Sequence, residues 1–449
     1  MEAFLMKALQ LIVALAFLVI IHEFGHYIFA RIFGIRVTKF YLFFNPGFTL
    51  FKWKPKQKPG TDPDSTSWRD TEYGIGWLPL GGYCQIAGMI DESLDTEQMK
   101  QEPKVWEFRT KPAWQRLFVM VGGVLFNFIL AIIIYAGIAF HWGDKYIALE
   151  DAYEGFDFAP AAQAIGFRNG DIPLTADGEK LDAAENYILK MAEAKKVTVL
   201  RDHRDTVEIA IPENFIFRLN DEKWFLNYRM PVVIDRIVPG EAAAKAGLME
   251  GDRVIAVDTV MTPTFTELTP TLAEYAGKTV PVKVIRDGRE VTVTATPNEF
   301  GKLGFQLKSP TDVYNTVTVK YNLLQSVPKG WEIGTTTLGN YVGSMKHLFS
   351  REGAQSIGGF GAIGNMFPDR WNWYSFWQIT AFLSVALAFM NIIPIPGLDG
   401  GHIMFLLYEM VTRRKPSENF LIGAQYVGMA FLILLLVYAN GNDILRAFK

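Results

Sequence analysis

The sequence predicts a polytopic α-helical membrane protein with four spans and an α+β region inserted between the second and the third. Apolar segments at 8–30, 117–140, 375–396 and 420–438 each approach the ~20 residues needed to cross a hydrocarbon core. The long stretch between the second and third segments is mixed, charged and strand-like. Hydrophobic residues make up 50% of the chain and its mean hydropathy is +0.13, which is high for a soluble protein.

Composition excludes some classes of function. The formal net charge of −3 argues against a nucleic-acid partner, since nucleic-acid-binding proteins are usually basic. Cys84 is the single cysteine, so no intramolecular disulfide can form.

The first span has one alternative interpretation. Lys7 precedes an apolar run from Ala8 to Ile21, as in a secretory signal peptide. No small-x-small cleavage site follows it, and further apolar residues do. We therefore expect a retained membrane helix rather than a cleaved leader.

Loop charge predicts the orientation, because basic residues accumulate in cytoplasmic loops. The loop between the third and fourth spans carries Arg413, Arg414 and Lys415. The loop after the first span is also basic, with Arg31, Arg36, Lys39, Lys52, Lys54, Lys56 and Lys58. Both loops are predicted to be cytoplasmic, which puts the insert and both termini on the other side. In a Gram-negative bacterium this would be a multi-pass inner-membrane protein with a periplasmic insert.

The insert contains an internal repeat. Gly-Phe-Arg-Asn-Gly-Asp at 166–171 corresponds to Gly-Leu-Met-Glu-Gly-Asp at 247–252, each after an alanine-rich turn. Further on, 199–202 (Val-Leu-Arg-Asp) matches 284–287 (Val-Ile-Arg-Asp), and both copies close with alternating strands. The pattern resembles tandem PDZ domains, less closely in the first copy, where Pro173 interrupts it. The resemblance implies binding of a peptide or chain end along a sheet edge, although a purely structural spacer stays open.

These features divide the chain into five predicted parts. They are the first two spans (1–143), a first PDZ-like domain (144–214), a second (230–310), an amphipathic linker or gate (311–374) and the last two spans (375–449).

The first span contains His22-Glu23-Phe24-Gly25-His26, an H-E-x-x-H motif. On a helix this spacing puts both imidazoles on one face, where they can bind one metal ion, and the glutamate can take a proton from an attacking water. Zinc suits such ligands. Ionisable residues inside a span usually face a protein interior or a wet cavity, so we expect a buried zinc site with one ion per chain. A metal-free His–Glu hydrogen-bond pair is the alternative.

The best third ligand is Asp399, which follows the third span in a stretch rich in proline and glycine. The end of the third span that leads to Asp399 is predicted to be cytoplasmic, and His22 and His26 approach the same side of the membrane from the first span. Pro394 and Pro396 prevent a regular helix there. The nearby glycines, Gly397, Gly400 and Gly401, are expected to let the backbone turn sharply. A capping aspartate is the alternative, and His402 is a rival ligand ranked below Asp399.

The H-E-x-x-H motif in a first span and N-x-x-P-x-P-x-L-D-G in a later one together resemble the site-2 protease family of zinc intramembrane metalloproteases. The tandem PDZ arrangement is similar to the regulator of sigma-E protease type. The resemblance covers essentially the whole chain. It implies that His22, His26 and Asp399 hold zinc, that Glu23 is the general base, and that Asn391 orients substrate or stabilises the oxyanion. A hydrogen bond between helices is the alternative role for Asn391.

The resemblance also implies a substrate-binding segment. Residues 74–83 are apolar, glycine-rich and too short to cross the membrane, as in the family's re-entrant β-loop, which pairs with an extended substrate. A hairpin at the membrane surface is the alternative. The substrate-binding residues predicted in this way are Gly76, Leu80, Gly81, Gly82, Pro394 and Pro396. Gly122, Gly123 and Asn127 resemble a further family motif beside the active site, or serve close helix packing.

The resulting prediction is an endopeptidase that cleaves single-span membrane proteins within the bilayer by direct attack of water. By the resemblance, its substrates are an anti-sigma factor or remnant signal peptides, and the PDZ pair would exclude untrimmed substrates by size. A non-proteolytic PDZ scaffold or chaperone is the alternative, and the intact Glu23 argues against it. A serine protease is a third possibility, but no G-x-S-x-G sequence is present.

Overall fold

The computed structural model of the chain has two compact units. The first combines Met1–Gly143 with Lys320–Lys449, and the second is Asp144–Val319. The structure describes residues 2–57, 60, 64–79, 81–89, 102–183, 187–213, 215, 224–345 and 358–447.

The helices, in chain order, are α1 (Glu2–Ile32), α2 (Ala113–His141), α3 (Pro160–Gln163), α4 (Tyr187–Glu193), α5 (Ala242–Lys245), α6 (Phe265–Glu274), α7 (Pro310–Val313), α8 (Leu323–Met345), α9 (Phe360–Gly364), α10 (Trp373–Ile392), α11 (Asp399–Thr412) and α12 (Glu418–Ala447).

The strands are β1 (Val37–Leu42), β2 (Phe51–Trp53), β3 (Glu72–Ile75), β4 (Tyr83–Ile86), β5 (Asp144–Tyr146), β6 (Phe156–Phe158), β7 (Ile172–Ala176), β8 (Glu179–Lys180), β9 (Lys196–Arg201), β10 (Asp205–Ala210), β11 (Leu226–Tyr228), β12 (Val232–Ile237), β13 (Arg253–Val257), β14 (Val260–Met261), β15 (Val280–Arg286), β16 (Arg289–Ala295), β17 (Phe305–Leu307) and β18 (Val317–Val319).

Among the described residues, four helices are long and apolar enough to cross a membrane: α1, α2, α10 and α12. The prediction of four such helices is confirmed. The third ends at Ile392 rather than near 396. Pro394 explains the difference, because it lacks an amide hydrogen and disfavours the helical conformation of the residue before it.

The segment between α10 and α12, predicted only as a loop, contains α11, a helix of 14 residues. The two glycines in its first turn lower helix propensity and hid it from sequence analysis. The apolar run from Ile403 to Leu407 was the available signal. Arg413, which ends this helix, has a left-handed backbone with φ of 55°.

The predicted amphipathic linker contains α8, which packs along α2. A β-carbon on Gly330 would lie 2.6 Å from the backbone nitrogen of Ala136 and 2.7 Å from the carbonyl oxygen of Ile132. Glycine is therefore required for the two helices to approach so closely. Trp331, on the next position, is 57% exposed and meets Phe128 at its edge.

Helices α1 and α2 cross at two glycines. A β-carbon on Gly25 would overlap the carbonyl oxygen of Gly122, and one on Gly122 would lie 2.6 Å from the oxygen of Gly25. Gly25 belongs to the H-E-x-x-H motif, so α2 contacts the motif directly, backbone to backbone.

The segment between α1 and α2 forms a four-stranded sheet in the order β2-β3-β1-β4. β1 pairs with β3 in parallel and with β4 antiparallel, so β4 forms one edge. This edge strand lies against α1, since a β-carbon on Gly82 would lie 2.7 Å from a methyl group of Val19.

In the second unit, the two copies of the repeat form matching sets of strands. The order is β10-β9-β7-β8 in the first copy and β16-β15-β13-β12-β17, with β14 beside β13, in the second. The first copy keeps a separate β11–β6 pair where the second has β17–β12. Pro173 lies on β7 next to an irregularity in its pairing with β9, which is how a strand accommodates a residue without an amide hydrogen.

Candidate metal centre

The two histidines of the first span face one another. The apolar stretch before them forms α1, and the spacing of four residues puts His22 and His26 one turn apart on it. Their Nε2 atoms are 3.2 Å apart. The side chains are 12% and 8% exposed, so both rings are nearly buried.

Asp399 completes this arrangement from the first turn of α11. Its Oδ2 atom lies 3.2 Å from Nε2 of His22 and 3.3 Å from Nε2 of His26. Asp399 is 373 positions from His26 in the chain (399 − 26 = 373), yet all three residues direct one ligand atom each toward a common point.

The geometry of these three atoms fits a tetrahedral metal ion. Ligands at about 2.0–2.1 Å from zinc in a tetrahedron are separated by roughly 3.3 Å. The observed separations are 3.2, 3.2 and 3.3 Å. Among the described residues, Asp399 Oδ2 is also a buried oxygen with no hydrogen-bond donor, although an oxygen of this kind needs a partner. A cation bound by the three atoms would supply that partner.

Glu23 lies beside the cluster rather than in it. It interacts electrostatically with His22, His26 and Asp399, and its carboxylate accepts a hydrogen bond from the backbone N–H of Cys84 on β4. A carboxylate in this position can exchange a proton with a water molecule at the cluster.

Helix α2 supports the two imidazoles from behind. Nδ1 of His26 donates to the carbonyl oxygen of Val119 over 2.9 Å, and the amide of Asn127 lies 3.2 Å from Nδ1 of His22. Gly123 lies between them in the sequence. In the sequence, Gly123 and Asn127 stand out only as part of a motif, and the four-residue spacing of 119, 123 and 127 is the signal for a shared helix face.

The loop before α11 shows why its glycines are needed. Only Gly397 has a positive φ, of 99°, so it alone makes the predicted turn. Gly400 and Gly401 belong to α11, where the prediction of sharp turns was wrong. They permit close backbone contact instead, since a β-carbon on Gly401 would lie 2.7 Å from the carbonyl oxygen of Ile395.

The remaining candidates occupy three places. Asn391 is half-buried in the last turn of α10, followed by the exposed Pro394 and the half-buried Pro396. His402 lies one turn beyond Asp399 on α11. Within the described part of the chain, the group that could hold a metal contains Asp399 and does not contain His402.

The predicted substrate-binding glycines lie between β3 and β4, next to the ends of these strands of the sheet. Gly76 donates its amide to Leu42 over 2.8 Å, and a side chain on it would overlap the backbone of Phe44. A β-carbon on Gly81 would lie 2.7 Å from the ring of Phe44. Tight packing within the sheet therefore requires these glycines, whatever else they contact. Leu80 lies outside the described residues.

Comparison with known proteins gives matches over nearly the full length. The model of peptidase family M50 matches residues 10–435. The regulator of sigma E protease of Haemophilus influenzae is 30% identical, over 99% of this chain and 100% of the relative. The regulator of sigma-E protease RseP of Escherichia coli is 27% identical, over 99% of this chain and 100% of the relative. The metalloprotease MmpA of Caulobacter vibrioides is 26% identical, over 99% of this chain and 97% of the relative. Several further relatives have zinc metalloprotease in their names.

Proposed function

The chain belongs to peptidase family M50, which confirms the resemblance to site-2 proteases, and we propose that it is a zinc endopeptidase that cleaves single-span proteins within the membrane. The observation that carries the proposal is the triangle of His22, His26 and Asp399 ligand atoms, whose edges match those of a tetrahedral zinc site.

We assign one zinc ion per chain to these three ligands. When bound, zinc supplies Lewis acidity to the reacting carbonyl and to water. Glu23 takes the proton from the attacking water and returns it to the leaving nitrogen, so hydrolysis needs no covalent intermediate with the protein. The backbone N–H of Cys84 orients the Glu23 carboxylate for this transfer.

Asn391 is proposed to steady the substrate carbonyl. Asn391 is half-buried in the last turn of α10, eight positions before Asp399 (399 − 391 = 8), and the turn at Gly397 lies between the two residues. An amide N–H aimed at growing negative charge is a recurring catalytic device.

The edge strand β4 is proposed to receive the substrate as an added strand. A helical substrate hides its amide groups in its own hydrogen bonds and must unwind before cleavage. β4 is an edge strand, and the N–H of Cys84 on it already points to Glu23. A segment paired with β4 would therefore pass the proposed base in extended form. Gly76, Leu80, Gly81, Gly82, Pro394 and Pro396 remain the candidate contacts around it.

We propose an inner-membrane location in bacteria, with the Asp144–Val319 unit periplasmic and the metal centre toward the cytoplasmic side. Four membrane-length apolar helices and the basic loops support this orientation. Substrates of the proposed class are anti-sigma factors or remnant signal peptides. The tandem repeat would serve as PDZ domains that bind a chain end or exclude untrimmed substrates.

The test is cleavage of a single-span reporter by purified protein in detergent, comparing the wild type with Glu23→Gln and with Glu2→Gln. Glu2 is an exposed residue at the start of the same helix and serves as the matched control. We expect about one zinc per chain in all three proteins, cleavage by the wild type and by Glu2→Gln, and none by Glu23→Gln. Equal cleavage by all three would reject Glu23 as the base, and a folded wild type that neither binds zinc nor cleaves would favour a scaffold.

A further inference from the structure

Asn127 is a buried polar residue that the proposed chemistry does not use. It lies in the middle of α2 with 0% of its surface exposed. Its Nδ2 atom is 3.2 Å from Nδ1 of His22, whereas its Oδ1 atom is buried and has no hydrogen-bond donor among the described residues. Burying an amide oxygen without a donor is costly, so this arrangement needs an explanation.

The packing contact at this position does not use the Asn127 side chain. The hydroxyl of Ser384 on α10 donates to the backbone carbonyl oxygen of Asn127 over 2.7 Å. A residue with any side chain could accept that bond. The amide group is therefore free to serve another purpose.

The Asn127 amide can fix the tautomer of His22. A neutral imidazole carries its proton on one nitrogen, and the nitrogen that binds a metal must be free of it. Nε2 of His22 faces His26 and Asp399, so the proton belongs on Nδ1. An Nδ1–H cannot bond to the amide's own N–H. Turning the Asn127 amide by 180° places its Oδ1 against Nδ1 of His22, so that the Nδ1 proton and the Asn127 oxygen become hydrogen-bond partners. Exchanging O and N in this way leaves the shape of the amide group unchanged.

His26 has an equivalent partner on the same helix. Its Nδ1 donates to the carbonyl oxygen of Val119 over 2.9 Å, which leaves its Nε2 free toward Asp399. Positions 119, 123 and 127 follow one another at intervals of four on one face of α2. This face thus offers an acceptor to each imidazole, with Gly123 leaving room between them.

We propose that Asn127 is a positioning residue of the metal centre, whose side-chain oxygen accepts the Nδ1 proton of His22 and holds Nε2 ready for the metal. This rests on the proposed zinc site. A partner on the outer nitrogen fixes the orientation of a metal-binding histidine and strengthens it as a ligand.

The test is the rate at which zinc leaves the purified full-length protein in detergent after a chelator is added. It compares the wild type with three variants. Asn127→Leu has no hydrogen-bond acceptor, whereas Asn127→Asp keeps one. Ser384→Ala removes only the hydrogen bond from the Ser384 hydroxyl to the backbone of residue 127. We expect Asn127→Leu to bind zinc about 10- to 100-fold more weakly and to release it correspondingly faster. Asn127→Asp and Ser384→Ala should release zinc no faster than wild type. Asn127→Ala, which adds no bulk, repeats the test if leucine prevents folding.

Other outcomes would overturn the proposal. Release at the wild-type rate from Asn127→Leu or Asn127→Ala would show that no acceptor is needed. Equally fast release from Asn127→Leu, Asn127→Asp and Ser384→Ala would show that the position acts through packing. If the wild type itself holds no zinc, both the proposed metal centre and the role of Asn127 are rejected. If the wild type holds zinc and Asn127→Leu releases zinc at the same rate, only the role of Asn127 is rejected.

Discussion

Gly123 faces His26 so closely that a β-carbon on it would lie 2.5 Å from the Nε2 atom of that histidine. The same β-carbon would lie 2.6 Å from Cε1 of His22. Any side chain at 123 would thus enter the space between the two imidazoles and the metal position. The absence of a side chain is what allows α2 to support both rings.

Gly123→Ala should therefore weaken zinc binding by roughly 10-fold or more, as expected when the support of a ligand is disturbed. Cleavage should fall with it, because both imidazoles must move. The measurement is zinc content after dialysis, with Gly137→Ala as the control. Gly137 lies on the same helix, and a β-carbon on it would meet nothing within 4 Å. Normal zinc content in Gly123→Ala would show that α2 shifts without disturbing the site.

Gly428 on α12 fixes the loop that leads to Asp399. A β-carbon at 428 would overlap the carbonyl oxygen of Pro396, three positions before that ligand (399 − 396 = 3). Gly428→Ala should push the loop away and reduce cleavage by about 100-fold, the effect of misplacing a reacting group by roughly 1 Å. Gly423→Ala, on the same helix and free of contacts within 4 Å, should retain activity. Equal activity of the two variants would mean that α12 adjusts independently of the loop.

A bidentate ion pair recurs in the two repeats. Arg201 donates to Asp171 over 2.8 and 2.7 Å, and Arg286 donates to Asp252 over 2.8 and 2.6 Å. Asp252 is 1% exposed and also accepts from the backbone N–H of Met249 over 2.9 Å. The Gly-Asp and Arg-Asp motifs that marked the repeat in the sequence are therefore partners in space.

Asp252→Ala should destabilise the second repeat by about 2 kcal/mol, because it leaves the Arg286 guanidinium and the Met249 N–H without their charged acceptor. The measurement is the urea concentration at which the Asp144–Val319 unit of the full-length protein becomes sensitive to protease. Glu250→Ala, an exposed neighbour, is the control. An unchanged urea midpoint in Asp252→Ala would mean that the Asp252–Arg286 pair makes no net contribution to stability.

The same pair predicts a dependence on pH. Burial alone would raise the pKa of Asp252, but hydrogen bonds from Arg286 and Met249 and the charge of Arg286 outweigh it, so this pKa is lowered. A lowered folded-state pKa stabilises the fold above the unfolded value of about 3.9, and that stabilisation is lost as the pH falls through the folded value. The stability difference between wild type and Asp252→Asn should hold from pH 7 to about 5 and shrink below about 4. A constant difference down to pH 3 would contradict this.

Local spacing carried most of what the sequence predicted. The i, i+4 separation of His22 and His26 defines a shared helix face, and the apolar segments define α1, α2, α10 and α12. Asp399 could be nominated only from its place at the predicted cytoplasmic end of the third span and from its motif, because nothing local indicates which distant residue meets the histidines. Its juxtaposition with them depends on how α11 packs, and α11 itself was missed.

Close contacts between helices were the least predictable feature. Gly330 and Gly428 are ordinary glycines in the sequence, and Gly123 was singled out only with its motif, yet each is required by a backbone or ring on a different element. The partner of Asn127 was hidden for the same reason, since its contact with His22 joins two helices 105 positions apart. Such contacts depend on the crossing of helices rather than on any local pattern.

Arg229 joins the two repeats of the second unit. Its Nε atom lies 3.2 Å from Asp157 on β6, and its guanidinium also pairs with Glu267 on α6. Thr266, beside Glu267, donates to the same Asp157. The start of α6 in the second repeat is thus tied to β6 in the first through one buried carboxylate.

Arg229→Met keeps the apolar stem and removes the charge, leaving Asp157 buried without its cation. We expect amide hydrogen exchange to become roughly 10-fold faster at the start of α6 and at β6, because the buried Asp157 carboxylate loses the cation paired with it. Exchange in β15 and β16, whose strands pair within the second repeat, should stay unchanged and serves as the internal control. Faster exchange throughout the unit would indicate general unfolding rather than separation of the repeats. No change at β6 would show that the charge of Arg229 is not needed to hold β6 against the start of α6.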